Sequence, residues 1–370
     1  MLKKVLCFAL YFLYPALSMA DAYVFAVVPK SGPYKVFGDE LTLGAQVAVD
    51  EINASGGLQR QKLQLIFIDD ACNKTLALST AQMLSFHPKT KPSLIIGPYC
   101  SGGLQKIAET YRRAKIFQIV PAFLSSDEAR QSASGLIKLF GNKETAASDL
   151  FDFYNANFAG LSVALISFSE DKTFDNAIME SFKKHGKSSL VHHYHFSDYN
   201  SLDDLADALV HNKENIIMAF SEPKHTAKII KKVSTQTSQA IFITSRYLAT
   251  SDFFINAEDN LKTTYFMALS ELENKPEMVE NVVTLRLKGI EFQGLNIYGY
   301  TAVKLWAELV KKAKTFNYDK LSSYIKKYGL QTSWGETFYN NGNLSDPIKY
   351  VFYQFKNDEF ILAPETNSAR

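Results

Sequence analysis

Short apolar runs alternate with helical patterns along most of this chain, and the alternation runs its course twice. The first series opens with AYVFAVVP, passes a turn-like KSGPYKVFGD and enters the helical ELTLGAQVAVDEINASGG. There Ala45, Val49 and Ile52 recur at helical spacing and Gly56-Gly57 stops the helix. The strand KLQLIFIDD, the helix TLALSTAQMLSF, the strand SLIIGPY, the helix GGLQKIAETYRRAK and the strand IFQIVPAF follow. After a polar connector, GNKETAAS, the helix SDLFDFYNANF begins a second series. Its strands LSVALISFS, SLVHHYHFS, ENIIMAFS and QAIFITSRYL are separated by the helices DNAIMESFKKHG, SLDDLADALVHN and KHTAKIIKKVSTQ. Largely apolar strands joined through helices predict parallel sheets covered on both faces, an α/β architecture. Two such series predict two lobes of similar plan. Two amphipathic helices, NIYGYTAVKLWAELVKKAK and DKLSSYIKKYG, and the strand-like KYVFYQFKNDEFIL complete the pattern.

The first twenty residues join a basic start (Lys3, Lys4), an apolar run from Val5 to Leu17 and the small-residue ending Ser18-Met19-Ala20. This is the pattern of a secretory signal peptide, with cleavage expected near Ala20. Two of the 40 basic residues lie in that leader, which leaves 38 against 38 acidic ones in an exported chain. A balanced charge gives no global field to recruit nucleic acid or an anionic membrane. The leader also bears on Cys72 and Cys100, which remain once Cys7 is set aside. In an oxidising compartment a lone pair of thiols bridges, so a disulfide is expected, and two thiolates without a histidine at ligand spacing do not make a metal site.

Signatures of chemistry are absent: there is no G-x-S-x-G, H-E-x-x-H, P-loop or G-x-G-x-x-G. His192, His193 and His195 lie in a strand-like run whose alternation places only His193 and His195 on one face, the pattern of a solvated strand. Asp69-Asp70 ends a strand ahead of a helix, where carboxylates cap free N–H groups. Neither a catalytic group, a metal nor a cofactor is expected.

In open α/β sheets, ligands collect beyond the carboxyl ends of the strands. The positions to watch are therefore Tyr99 to Gly103 and Ala122 to Ser126 in the first lobe. In the second they are Ser169 to Asp175, Ser221-Glu222 and Thr244 to Tyr247. Ser101, Gly102 and Gly103 open a helix without bulk, which lets free N–H groups face an anionic or carbonyl oxygen.

SGPYKVFGDELTLGAQVAVDEINASGGLQRQKLQLIFIDDACN, followed by LIIGPYCSGG and IFQIVPA, resembles the leucine/isoleucine/valine-type periplasmic binding proteins, receptors of branched-chain amino acid ABC importers. WGETFYNNGNL extends the resemblance more faintly toward the C-terminus. It implies two Rossmann-like lobes joined by a three-segment hinge, with the ligand enclosed between them. The lobes would comprise residues 21–141 with 270–347, and 142–269 with 348–370. The family's disulfide matches Cys72 with Cys100, its ligand-contacting serine matches Ser101, and its small residue after proline matches Ala122. Its aromatic residues match Phe37 and Phe174. Two positions depart from the pattern: Leu124 stands where a Thr or Ser is usual, with Ser125 beside it, and Arg246 stands where a Glu or Asp meets the ligand ammonium.

The resemblance therefore implies a monomeric periplasmic receptor, not an enzyme, that hands a small organic acid or amino acid to an inner-membrane ABC permease. Its ligand-binding set would be Ser101, Gly102, Ala122, Phe123, Phe37, Tyr99, Phe174, Glu222 and Arg246. A sensor serving a membrane signalling protein and an exported α/β enzyme are the alternative readings.

Overall fold

The protein is described from a computed structural model, which covers residues 21–86, 90–100, 103–121, 135–139, 142–168, 172–220, 222–269, 279–290, 294–331, 337–340, 343–344, 349–357 and 359–364. Five strands, β1 (Asp21–Val28), β2 (Lys62–Asp69), β3 (Pro92–Ile96), β4 (Phe117–Val120) and β5 (Leu136–Lys138), form an all-parallel sheet in the order β2-β1-β3-β4-β5. β1 is buried on both faces, as a central parallel strand must be. Val24, Ala26 and Val28 enter one apolar cluster, while Phe25 and Val27 enter another with Ala77, Ala81, Ile107 and Tyr111. The latter four belong to helices α2 (Lys74–Phe86) and α3 (Leu104–Arg113), which cover that face.

The opposite face is covered by α1 (Lys35–Ala54). α1 begins five residues ahead of the ELTLG pattern because Gly38 is helical. Its bare Cα lies so close to the Pro29 carbonyl that an added Cβ would fall 1.7 Å from the oxygen.

The second sheet contains β6 (Val163–Ser167), β7 (Val191–His195), β8 (Ile216–Ala219), β9 (Ile241–Ser245) and β10 (Thr264–Leu269), parallel in the order β7-β6-β8-β9-β10. Relative to chain order, this is the winding of the first sheet. β14 (Tyr350–Lys356) and β15 (Glu359–Leu362) extend it as an antiparallel hairpin beside β10. Thus the strand-like C-terminal run is two strands, with Asn357 at positive φ between them. Backbone pairing also makes a small antiparallel sheet of β11 (Leu330–Gln331), β12 (Thr337–Asn340) and β13 (Asn343–Leu344), which the sequence pattern did not predict. Around the second sheet lie α4 (Lys143–Phe158), α5 (Thr173–Lys184), α6 (Leu202–His211), α7 (Pro223–Gln236) and α8 (Ser251–Ala257). The polar connector GNKETAAS is largely the first turn of α4, with Ala146 and Ala147 buried.

The chain returns to the first lobe through α9 (Val279–Leu287), α10 (Asn296–Ala313) and α11 (Tyr318–Tyr328). α1 and α10 run side by side and touch backbone to backbone. A Cβ on Gly44 would lie 1.8 Å from the Asn296 carbonyl oxygen, and one on Gly299 would lie 1.9 Å from that of Leu41. Two side-chain-free contacts bring the cleft-side start of α10 against α1. From that end, α10 presents Tyr298 toward the second lobe.

Candidate functional site

In each sheet the strand order reverses between the first and third strands of the lobe, and a crevice opens beyond their carboxyl ends at such a point. Of the residues that follow the strands, Tyr99 lies just beyond β3 and Tyr247 just beyond β9.

On the first lobe, Phe37 from the first turns of α1 is almost fully buried, and its ring centroid lies 5.0 Å from that of Tyr99, just beyond β3. Tyr34 stacks on Phe37 at 6.3 Å. The Tyr99 segment is pinned from three sides. Gly97 donates its N–H to the Ile119 carbonyl at 2.9 Å, Gln118 Nε2 donates to the Gly97 carbonyl at 2.8 Å, and Cys100 is bonded to Cys72 with the Cα atoms 5.5 Å apart. The expected disulfide is therefore present, tying the turn after β2 to the loop that carries Tyr99. Burial pushes the Tyr99 phenol well above its ordinary pKa, and Tyr34, Glu40 and Tyr247 add to the shift. Tyr247 belongs to the other lobe. Ser101, Gly102, Ala122, Phe123, Leu124 and Ser125 lie outside the described residues.

Glu40 lies one turn beyond Phe37 and accepts the Leu295 N–H at 2.7 Å, at the start of α10. Burial raises its pKa to about 7, against the lowering effect of that hydrogen bond and with a small contribution from Asp39. Asp70, beside the disulfide, is raised to about 6, again chiefly by burial.

On the second lobe, Phe174 opens α5 and meets Phe220 edge to face at 5.2 Å. Asp175 accepts a hydrogen bond from the Ser167 hydroxyl, which also lies 2.7 Å from His193 Nε2. His193 and His195 do share a face, ring centroids 4.0 Å apart, and Lys172 Nζ lies 3.5 Å from His195 Nε2. Burial lowers the His193 pKa, and His195 and Lys172 lower it further. His192 turns the other way, to Glu214 at 2.6 Å. Among the described residues no group of three or more His, Cys, Asp or Glu side chains is arranged to hold a metal ion.

Glu222 caps α7: its carboxylate accepts the His225 N–H at 2.6 Å and lies 3.0 Å from His225 Nδ1. Arg246 follows β9, but its guanidinium carbon lies 4.9 Å from the Tyr353 ring centroid and 4.7 Å from that of Phe360. Those rings belong to the β14–β15 hairpin, so the charge is drawn along the second sheet. The next residue, Tyr247, reaches the first lobe instead. Its hydroxyl lies 2.7 Å from that of Tyr298 and accepts the Leu269 N–H at 3.2 Å. Phe37 and Tyr99 are thus brought together and Phe174 joins Phe220, whereas Arg246 is aimed at the hairpin. Tyr247 lay within the strand-end window, but neither Tyr298 nor Glu40 carried a sequence signal beyond helical periodicity.

The family model for periplasmic binding proteins matches residues 24–358. The chain belongs to the periplasmic binding protein family. An amino acid binding protein of Pseudomonas aeruginosa is 20% identical over 342 residues, 91% of each chain. Among solved structures, the branched-chain amino acid transporter substrate binding protein LivJ of Streptococcus pneumoniae, in complex with isoleucine, superposes with a TM-score of 0.76 at 18% identity, covering 93% of this chain and 100% of that one. A solute binding protein of an ABC transporter from R. palustris, in complex with benzoate, gives a TM-score of 0.74 at 18% identity, covering 93% and 95%. This periplasmic binding protein is a binding protein and not an enzyme, and its two-lobed α/β fold is the one the sequence resemblance implied. Among the described residues no helix is long and apolar enough to cross a membrane.

Proposed function

We propose that this periplasmic binding protein is the solute receptor of a branched-chain-amino-acid-type ABC importer, and that it encloses a small organic acid with apolar or aromatic bulk. The lobes are residues 21–141 with 270–347, and 142–269 with 348–370, a division that the sheet memberships support. The observation that carries the reading is the ring pair Phe37–Tyr99, held beside the Cys72–Cys100 loop. Flat apolar walls suit a branched or aromatic skeleton. Ser101, Gly102, Ala122 and Phe123, which lie outside the described residues, are the groups that the family resemblance assigns to the carboxylate.

Two acids of the second lobe, among the described residues, support a ligand without an ammonium. Glu222 is engaged by its own helix and by His225, and Asp175 by Ser167. An ammonium enclosed without an anionic partner suffers a large desolvation cost. Arg246 lies over the hairpin rings Tyr353 and Phe360, so the reading gives it no part in holding the ligand. The leader directs export with cleavage near Ala20, and a closed monomer presents its surface to the inner-membrane permease. Mass spectrometry of solute released by denaturing natively purified protein tests the reading. A carboxylic acid lacking an amino group supports it, and release of a branched-chain amino acid refutes the ligand assignment.

A further inference from the structure

Tyr247 and Leu269 both belong to the second lobe: the first follows β9 and the second ends β10, where the chain leaves for the first lobe. Tyr298 belongs to the first, near the start of α10, which lies against α1. The Leu269 N–H donates to the Tyr247 hydroxyl, and the two phenol oxygens stand 2.7 Å apart with the rings edge to face, centroids 5.6 Å apart. Both tyrosines are almost fully buried. A rotation of one lobe against the other carries Leu269 along with Tyr247 but leaves Tyr298 behind. The Tyr247 hydroxyl therefore stays aimed by its own lobe while its bond to the other lobe forms or breaks.

We propose that the Tyr247–Tyr298 hydrogen bond is an inter-lobe tie that sets the lobe angle of the ligand-free protein, with Tyr247 as the positioning residue that its own lobe keeps aimed. The inference rests on the two-lobe closure reading above. A buried hydrogen bond between phenols shifts an equilibrium between bonded and unbonded states by about threefold to tenfold. A tie of that strength biases the lobes toward closure and leaves a ligand able to complete it. The strand-end window Thr244 to Tyr247 contains Tyr247 but not its partner, which lies 51 positions away.

The test uses the full-length exported protein, dialysed exhaustively to remove carried solute, as wild type, Tyr247→Phe, Tyr298→Phe and the double variant. Phenylalanine keeps each ring in place and removes only the hydroxyl. Small-angle scattering should show every variant more extended than the wild type without ligand, and the double variant no more extended than either single one. Scattering curves that superpose on the wild type, with or without a lowered melting temperature, overturn the tie, as does an additive double variant. Closure itself is read separately, from the wild type with saturating 4-methylpentanoate or leucine. Failure of both to contract the protein refutes the ligand reading, while the ligand-free comparison still decides the tie.

Discussion

Glu40 of α1 accepts the N–H of Leu295, 255 positions later in the chain, and this bond joins the cleft-side ends of the two helices that touch through Gly44 and Gly299. Because burial holds the Glu40 carboxyl near pH 7, against 4.5 in an unfolded chain, the native protein binds more protons than the unfolded one between those values. Stability from this group is complete below about pH 4.5 and is lost as the pH rises through about 7. Glu40→Gln keeps an acceptor for Leu295 and removes the titration. Denaturant unfolding at pH 8 should find the variant more stable than the wild type by about 1 to 2 kcal/mol, with the difference vanishing near pH 4.5.

Gly299→Ala places a methyl group against the Leu41 carbonyl, where no flexible side chain can yield. Forcing the helices apart should lower stability by about 1 to 3 kcal/mol. A variant as stable as the wild type in urea would show that α1 and α10 are not in backbone contact.

Arg246→Ala removes a cation held over Tyr353 and Phe360. Stability should fall by about 0.5 to 2 kcal/mol, while affinity for a bound acid should change by less than about 1 kcal/mol. A larger loss of affinity, with stability unaltered, would return the guanidinium to the cleft.

The two lobes and most of their strands and helices were legible because strand burial and helix periodicity are written locally, whereas β5, β10 and the helix Val279–Leu287 had no named counterpart in the sequence pattern. The disulfide was legible because only two cysteines follow the first twenty residues. Arg246 illustrates what local pattern cannot give. At the end of β9 the strand period lapses, so consecutive residues 246 and 247 separate toward different lobes, and only the position of the β14–β15 hairpin decides which goes where. Glu40 was hidden for the same reason, since its partner lies on a helix that returns from the far end of the chain. Tyr99 was found because it follows a strand end, and Phe37 because it matches an aromatic position of the family resemblance.

Replacing both Cys72 and Cys100 by serine opens a loop with a sequence separation of 28. The chain-entropy argument gives a loss of roughly 3 to 4 kcal/mol. Thiol labelling of the unreduced, denatured wild type should find neither cysteine free, and two labelled thiols would exclude the bridge.

Titration calorimetry of the wild type against matched pairs tests the central claim most directly: leucine with 4-methylpentanoate, valine with 3-methylbutanoate, and phenylalanine with 3-phenylpropanoate. Within each pair the skeleton and the carboxylate are kept and only the amino group differs. Among the described residues, the strand-end carboxylates of the second lobe, Glu222 and Asp175, are held by His225 and Ser167, so the acids should bind at least about tenfold more tightly than their amino counterparts, about 1.4 kcal/mol. Tighter binding of the amino acids across the pairs would contradict the account and place an acidic side chain, Glu222, Asp175 or Glu40, against the ligand's ammonium.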